Sequence, residues 1–230
     1  GSLEAARLAR QATAGGASAL LVFPPGPFTL GQNAEMAIAH FKHIADATDL
    51  PLIAFQYPLA GGQGYPRDTL LKLVTKVPTI RAIKDWTPQV QLHERHIRTL
   101  QSLDKPVNVL STNSAWLFSS LVLGAKGLLS GSGSVIADLQ ARLFRAVAAN
   151  DLAEARRLND RIAPLAEVFY ADPFVDMHNR MKAALVLLGE QPRAVVRPPL
   201  VPLSAAEVKR IDAALRAAGR LGRDGALSAA

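Results

Sequence analysis

The chain has 230 residues, of which 49% are hydrophobic and 20% charged, and it contains no cysteine. This length can bury a sizeable core in one large domain or two small ones. The lack of cysteine excludes disulfides, a thiolate nucleophile and a cysteine-based metal site. No apolar run approaches the roughly 18 residues of a membrane span, and the charged, helical start does not read as a secretory signal. We therefore expect a cytoplasmic protein without a membrane segment.

The net charge is +7, from 26 basic and 19 acidic residues. In the second half of the chain the basic residues are interleaved with acidic ones along helical patterns such as DLAEARRLNDR (151–161). Aromatic residues make up only 6% and do not alternate with the basic ones, as they would on a base-stacking surface. This charge is typical of solvated helix faces that attract small anions, and we expect no nucleic-acid partner.

Short apolar runs alternate with amphipathic segments over the first 150 residues. Strands are predicted at 18–25, 51–58, 79–86, 107–112 and 126–130. Helices are predicted at 33–47, 67–77, 89–103, 114–124 and 135–149. Five strand–helix units in succession predict an α/β fold with a parallel sheet. Only helical patterns follow, so we predict a barrel portion at 1–150 and a helical extension at 151–230, whose last helix begins with a capping box at Ser204 and Glu207.

A single lysine stands near the end of the apolar strand TIRAIKDWT (79–87). Alternation places Ala82, Lys84 and Trp86 on one face of the strand and Asp85 on the other. A lysine in a dry pocket at the carboxyl end of a barrel strand has a lowered pKa, and its neutral amine can form a Schiff base with a ketone. A lysine at a strand end can also simply extend to solvent, and this stretch taken alone favours that interpretation.

Six segments, in order along nearly the whole chain, resemble the dihydrodipicolinate synthase / N-acetylneuraminate lyase family. They are LVFPP (21–25), PLIAFQYP (51–58), IRAIKDW (80–86), LGAKGLLSGSGSV (123–135), MKAALVLLG (181–189) and RPPLVPLS (197–204). The resemblance implies a (β/α)8 TIM barrel, of which about five strand–helix units are present, plus C-terminal helices. It also implies a lyase in which Lys84 forms a Schiff base with pyruvate, another 2-keto acid or a sugar acid. Neither a cofactor nor a metal is implied, and the assembly would be a homo-oligomer, a dimer or tetramer.

The chain departs from this family in three places. Counterparts of the first three barrel strands are missing, so we expect a fragment. Phe55 occupies the position of the family's proton-relaying tyrosine. Tyr57 lies on the same face, and we predict that it takes over that role or frames a longer substrate. That Tyr57 simply packs at the barrel mouth is an equal alternative. Residues 59–62 read Leu-Ala-Gly-Gly, where the lysine-biosynthesis enzymes have an arginine, so we do not expect that reaction.

Further residues at strand ends complete the predicted site. Predicted substrate contacts are Phe55, Trp86, Thr112, Gly131, Ser132 and Gly133, the last three within a GSGS turn between a strand and a helix. The alternative function is a catalytically altered or inactive homologue that acts as a small-molecule binding or structural protein; a third possibility, a basic nucleic-acid binder, would show salt-dependent DNA affinity, which we do not expect.

The histidines carry no predicted chemistry. His40, His43, His93, His96 and His178 form no metal-ligand motif and are predicted to lie at the surface. A Ser-His-Asp triad is not predicted, since no histidine falls at a strand end. Asp85 points away from Lys84 and is interpreted as structural.

Overall fold

The computed structural model describes residues 1–222 of the chain. Its strands are β1 Leu20–Val22, β2 Leu52–Gln56, β3 Ile80–Asp85, β4 Asn108–Ser111 and β5 Gly127–Leu128. Its α-helices are α1 Ser2–Ala14, α2 Ala34–Ala45, α3 Arg67–Lys76, α4 Val90–Leu100, α5 Leu117–Val122, α6 Gly133–Ala148, α7 Leu152–Phe169, α8 Met177–Leu187 and α9 Ala205–Ala217. Short 3-10 helices occupy Gly26–Leu30, Ser114–Trp116 and Phe174–Asp176.

The five strands form one parallel sheet in the order β1-β2-β3-β4-β5. Parallel neighbours need a crossover connection, and α2, α3, α4 and α5 supply one between each pair of successive strands. The register places Phe55 of β2 beside Lys84 of β3, and Lys84 beside Leu110 of β4. The predicted parallel α/β arrangement is confirmed.

The two faces of the sheet differ in burial. Val22, Ala54, Ile83 and Val109 lie on the face that packs against the helices and are almost fully buried. Lys84 lies on the opposite face, where its neighbour Leu110 is half-buried. In a (β/α)8 barrel the helices cover the outside of the sheet, so the face of Lys84 corresponds to the barrel interior.

The predicted strands and helices are confirmed, most of them with shorter limits, while α6 begins two residues earlier than predicted. β1 ends at Val22, ahead of Pro24 and Pro25, because proline has no amide hydrogen to donate to the sheet. The helix predicted at 114–124 is α5, preceded by a 3-10 turn. The serine half of the predicted capping box of α9 is present, since the Glu207 amide donates to the Ser204 hydroxyl over 3.2 Å, whereas the Glu207 carboxylate pairs with Arg180 and Arg210.

The chain divides into two compact units. The first holds residues 1–113 and Ser119–Leu129, and the second holds Ser114–Phe118 and the residues from Ser130 onward. Within the second unit α6 packs against α7, and the predicted boundary between barrel portion and helical extension at residue 150 stays a prediction. The end of the predicted helical extension, residues 223–230, lies outside the described residues. Within residues 1–222, no helix combines the length and apolarity needed to cross a membrane.

Candidate active site

Lys84 lies one residue before the end of β3, in the first unit, and its side chain is half-buried. Its Nζ is 4.2 Å from the centre of the Phe55 ring on the neighbouring strand. A ring face at this distance attracts the ammonium form. Burial acts in the opposite direction and lowers the pKa of Lys84 below its ordinary value. The lysine therefore has the apolar surroundings that favour a neutral, nucleophilic amine.

Phe55, which contacts this amine, belongs to a cluster of four aromatic rings. The ring of Phe55 is 4.3 Å from that of Tyr57 and 5.0 Å from that of Phe23, centre to centre. The ring of Trp86 is 5.5 Å from that of Tyr57. The rings come from the carboxyl ends of three adjacent strands, β1, β2 and β3. The predicted site residues at the ends of β2 and β3 are thus brought together, and Phe23 at the end of β1, which the sequence did not single out, joins them.

A buried glutamine shapes the loop that carries Tyr57. The Gln56 amide nitrogen donates to the carbonyls of Tyr57 and Tyr65 over 3.2 and 3.1 Å, and its oxygen accepts from the Tyr65 amide over 3.2 Å. These bonds close residues 57–65 into a loop. A Cβ on Gly64 would lie 2.4 Å from the Tyr57 carbonyl oxygen, so only glycine permits this approach. Burial raises the pKa of the Tyr57 phenol.

The other side of β3 carries a buried carboxylate network. Asp85 Oδ2 lies 2.9 Å from Nδ1 of both His93 and His96, and its Oδ1 accepts from the amide and the hydroxyl of Thr87 over 3.0 and 2.5 Å. Burial alone would raise the pKa of Asp85, but the hydrogen bonds from the two histidines outweigh it and hold that pKa well below its ordinary value. The carboxylate only accepts, so both histidines donate through Nδ1. Asp85 thereby fixes α4 against the strand that carries Lys84.

The prediction of surface histidines is wrong for His40, His93 and His96, which are all buried. His93 and His96 share the buried stripe of α4 with Ile97 and Leu100. These residues follow His93 by three, four and seven positions, the spacing of the inward face of an amphipathic helix. This spacing could have predicted that the two histidines are buried. His40 lies in α2, where its Nδ1 is 2.9 Å from the Ser2 hydroxyl.

Ser120, His93 and Asp85 form a hydrogen-bonded chain in the order of a catalytic triad. The Ser120 hydroxyl is 2.7 Å from His93 Nε2. The prediction that no triad is present considered only histidines at strand ends, so it missed this contact. All three side chains are completely buried on the helix side of the sheet, so a substrate cannot reach the serine. The Ser120–His93–Asp85 hydrogen bonds hold β3, α4 and α5 together, and Asp85 is structural as predicted. No group of three His, Asp or Glu side chains within residues 1–222 is placed to hold a metal ion.

Thr112 follows β4 and is half-buried. Its amide donates to the Asp85 carbonyl over 3.2 Å, which aligns it with the end of β3. Asn113 donates to the Thr87 carbonyl over 3.1 Å. These two bonds tie the ends of neighbouring strands together, and the role of Thr112 in substrate binding stays a prediction.

Gly131, Ser132 and Gly133 belong to the second unit, where Gly131 and Ser132 lie against the hydroxyl of Tyr170 and Gly133 lies against Gln140. The Ser132 amide donates to Tyr170 Oη over 3.0 Å, and Gln140 donates to the Ser132 hydroxyl over 2.8 Å. A Cβ on Gly131 would lie 3.3 Å from the same Tyr170 oxygen. The sequence did not single out Tyr170, which has no motif of its own. Substrate binding by this turn stays a prediction.

The parallel strand–helix units and the lysine at a strand's carboxyl end are features of a (β/α)8-barrel lyase. Comparison with known proteins agrees: the model of the Dihydrodipicolinate synthetase family matches residues 1–218. The chain belongs to this family, and the predicted fold, family and enzyme class are confirmed.

Two relatives are both named 4-hydroxy-tetrahydrodipicolinate synthase. The protein of Erythrobacter litoralis is 32% identical over 207 residues, covering 90% of this chain and 68% of its own. That of Sphingopyxis alaskensis is 31% identical over 218 residues, covering 94% and 71%.

Solved structures give the same fold. The dihydrodipicolinate synthase of Agrobacterium tumefaciens superposes with a TM-score of 0.82 at 26% identity, over 95% of this chain and 71% of its own. A prophage protein of the same family from E. coli, solved in complex with pyruvate, superposes with a TM-score of 0.85 at 24% identity, over 95% and 72%. At that identity the second structure speaks for the fold alone.

Proposed function

We propose that Lys84 forms a Schiff base with pyruvate or another 2-keto acid, in an aldol cleavage, aldol condensation or dehydration. The observation that carries the proposal is the half-buried Nζ lying 4.2 Å from the Phe55 ring at the carboxyl end of β3. An amine held in apolar surroundings is available in its neutral, attacking form.

In the first step the neutral amine of Lys84 attacks the ketone carbon of the keto acid. The resulting carbinolamine loses its hydroxyl group as water, which leaves a protonated imine. Loss of a proton from the adjacent carbon gives an enamine, whose carbon can add to an aldehyde; the reverse sequence cleaves the bond. Hydrolysis of the imine then returns the free lysine.

These steps need a group that moves protons near the imine. We propose that Tyr57 serves this purpose, because its ring packs 4.3 Å from that of Phe55, the residue that touches the amine. A bound water is the alternative relay. Thr112 and the Gly131–Gly133 turn remain our proposed contacts to the substrate, and Trp86 and Phe55 frame the amine.

A homologue that binds a keto acid without turnover is the second candidate. Phe55 favours it, since a phenyl ring has no proton to give where the family resemblance implies a tyrosine. The Phe55 ring is almost fully buried, so a solvent water does not readily take the place of the missing tyrosine hydroxyl at that position.

Borohydride reduction in the presence of pyruvate separates these candidates. We expect mass spectrometry to find one covalent adduct, on the peptide that carries Lys84, and to find none in a Lys84→Met variant that remains folded. An unmodified Lys84 in the wild-type protein would rule out the Schiff base. An adduct without any turnover would support the second candidate.

We also propose a cytoplasmic homo-oligomer, a dimer or tetramer, on the strength of the family membership. Light scattering coupled to gel filtration gives the mass directly. A monomer at all concentrations would contradict the proposed assembly and would leave the Schiff-base proposal untouched.

A further inference from the structure

Asn113 follows the end of β4, and its side chain is almost fully buried. Its amide nitrogen donates to the carbonyls of Asp85 and Thr87 over 3.4 and 3.1 Å. These two residues stand on either side of Trp86, at the end of the strand that carries Lys84. We infer that Asn113 is a positioning residue of the candidate active site, which fixes Trp86 beside the lysine. The inference deepens the proposed function of Lys84 and rests on it.

Other hydrogen bonds hold the same stretch of backbone. The Trp86 amide donates to the Gln56 carbonyl over 2.9 Å, and the Thr112 amide donates to the Asp85 carbonyl over 3.2 Å. The Asp85 carboxylate accepts from the amide and the hydroxyl of Thr87 over 3.0 and 2.5 Å. The segment is therefore attached to β2 on one side and to the residues after β4 on the other. Because β3 is the middle strand of the five, both of the strands that hold it are present.

Asn113 contributes a donor that the segment needs. A primary amide nitrogen carries two hydrogens, so one side chain can serve two carbonyls. The bond to Thr87 is the decisive one, because the Asp85 carbonyl already accepts from the Thr112 amide. A buried carbonyl that loses its donor keeps the cost of its lost hydration, so the segment would rearrange to recover a partner.

The position of the Trp86 ring depends on this backbone. The ring centre is 5.5 Å from that of Tyr57 and 6.4 Å from that of Phe55, the ring that contacts the amine of Lys84. A site residue keeps its geometry when hydrogen bonds behind it fix its backbone and rotamer. Lys84 itself is held separately, by the pairing of β3 with β2 and β4. Loss of Asn113 should therefore move the Trp86 ring and leave the lysine in register.

Two substitutions test the inference. Asn113→Ala removes the donor, and Asn113→Asp keeps the shape but places an oxygen against the two carbonyls. Asn108→Asp is the matched control, because it makes the same change at the opposite end of the same strand. The chain has two tryptophans, so a Trp116→Phe background makes Trp86 the only one. Time-resolved fluorescence anisotropy then reports the motion of that ring without any ligand.

We expect both Asn113 variants to show a fast anisotropy decay in the nanosecond range, and the parent protein and the Asn108 variant to show only the slow decay of overall tumbling. Trapping with cyanoborohydride over a range of pyruvate concentrations measures the effect on Lys84. The half-saturating concentration should rise about tenfold in the Asn113 variants, less than the hundredfold that a misplacement of about 1 Å can cost, while the rate at saturation should stay within about twofold. A general loss of structure would not divide the two quantities in this way.

Unchanged anisotropy and unchanged half-saturation in both Asn113 variants would overturn the inference. A fall in the saturated rate with the half-saturating concentration unchanged would also overturn it, since the variants would then have displaced Lys84 rather than Trp86. If pyruvate is trapped on Lys84 in no protein, including the wild type, the proposed function fails. The anisotropy still decides in that case whether Asn113 fixes the Trp86 ring.

Discussion

Lys84 and Phe55 are direct neighbours across β3 and β2, and the lysine nitrogen lies 4.2 Å from the centre of the phenyl ring. The contact places the amine against an almost fully buried ring at the carboxyl end of the sheet. The predicted nucleophile, Lys84, therefore touches the position at which the family resemblance implies a tyrosine and this chain has Phe55.

The rate of imine formation on Lys84 should rise with pH and level off below pH 10.5, the ordinary pKa of a lysine. Only the neutral amine attacks a ketone, and burial lowers the pKa at which it becomes neutral. Timed trapping with pyruvate and cyanoborohydride, followed on the Lys84 peptide, gives this profile. A rate that continues to climb through pH 10.5 would mean that the amine is not desolvated.

Tyr57→Phe should lower turnover by about a hundredfold, the lower end of what general acid–base catalysis contributes. The substitution removes the hydroxyl and keeps the ring that packs on Phe55, so the fold and the affinity for a keto acid should persist. Steady-state kinetics combined with calorimetry separates the two effects. Unchanged turnover would remove Tyr57 from the relay and leave a water in that role.

Asp85→Asn should destabilise the protein by about 3–5 kcal/mol at pH 7, because the amide cannot accept as the carboxylate does from two buried imidazoles. The pKa of Asp85 is lower in the folded state than the ordinary 3.8. Its charge therefore stabilises the fold above pH 3.8, and that contribution is lost as the pH falls through the folded-state pKa.

Urea unfolding of both proteins at pH 7 and at several values below pH 4 measures the effect of Asp85. The difference in the free energy of unfolding should shrink as the solution becomes more acidic. A difference that stays constant into strong acid would show that the carboxylate charge is not the source of the stability.

Ser120→Ala should cost about 1 kcal/mol of stability, the usual net value of a hydrogen bond. It should leave imine formation on Lys84 unchanged, because Ser120 lies on the helix side of the sheet and is completely buried. Thermal unfolding and borohydride trapping test the two parts. Loss of an ester-cleaving activity in this variant would instead revive the Ser120–His93–Asp85 chain as a triad.

Gly64→Ala should destabilise the loop at 57–65 by about 1–3 kcal/mol, the range seen when a methyl group is forced into a packed site. The added Cβ would stand 2.4 Å from the Tyr57 carbonyl oxygen, so the segment carrying Tyr57 must shift. Gly26→Ala is the matched control, since a Cβ there meets nothing within 4 Å. Equal stability of the two variants would contradict the close approach.

Local sequence patterns are enough to predict the order of strands and helices and the face of β3 that carries Lys84. Both follow from local periodicity: apolar runs of strand length separated by helical repeats, and side chains that alternate along a strand. Phe55, Tyr57, Lys84 and Trp86 could therefore be assigned to the same side of the sheet from the residues alone.

Contacts between segments that are distant in the chain could not be predicted in this way. Phe23 joins the aromatic cluster because β1 pairs with β2, some thirty residues further along the chain. His93 and His96 are buried because α4 turns their stripe toward Asp85 on the strand it covers, a rotation that depends on packing. Gln56 closes its loop through the backbone of Tyr65. Each of these contacts joins residues that no local repeat relates, so their chemistry became visible only when the chain was folded.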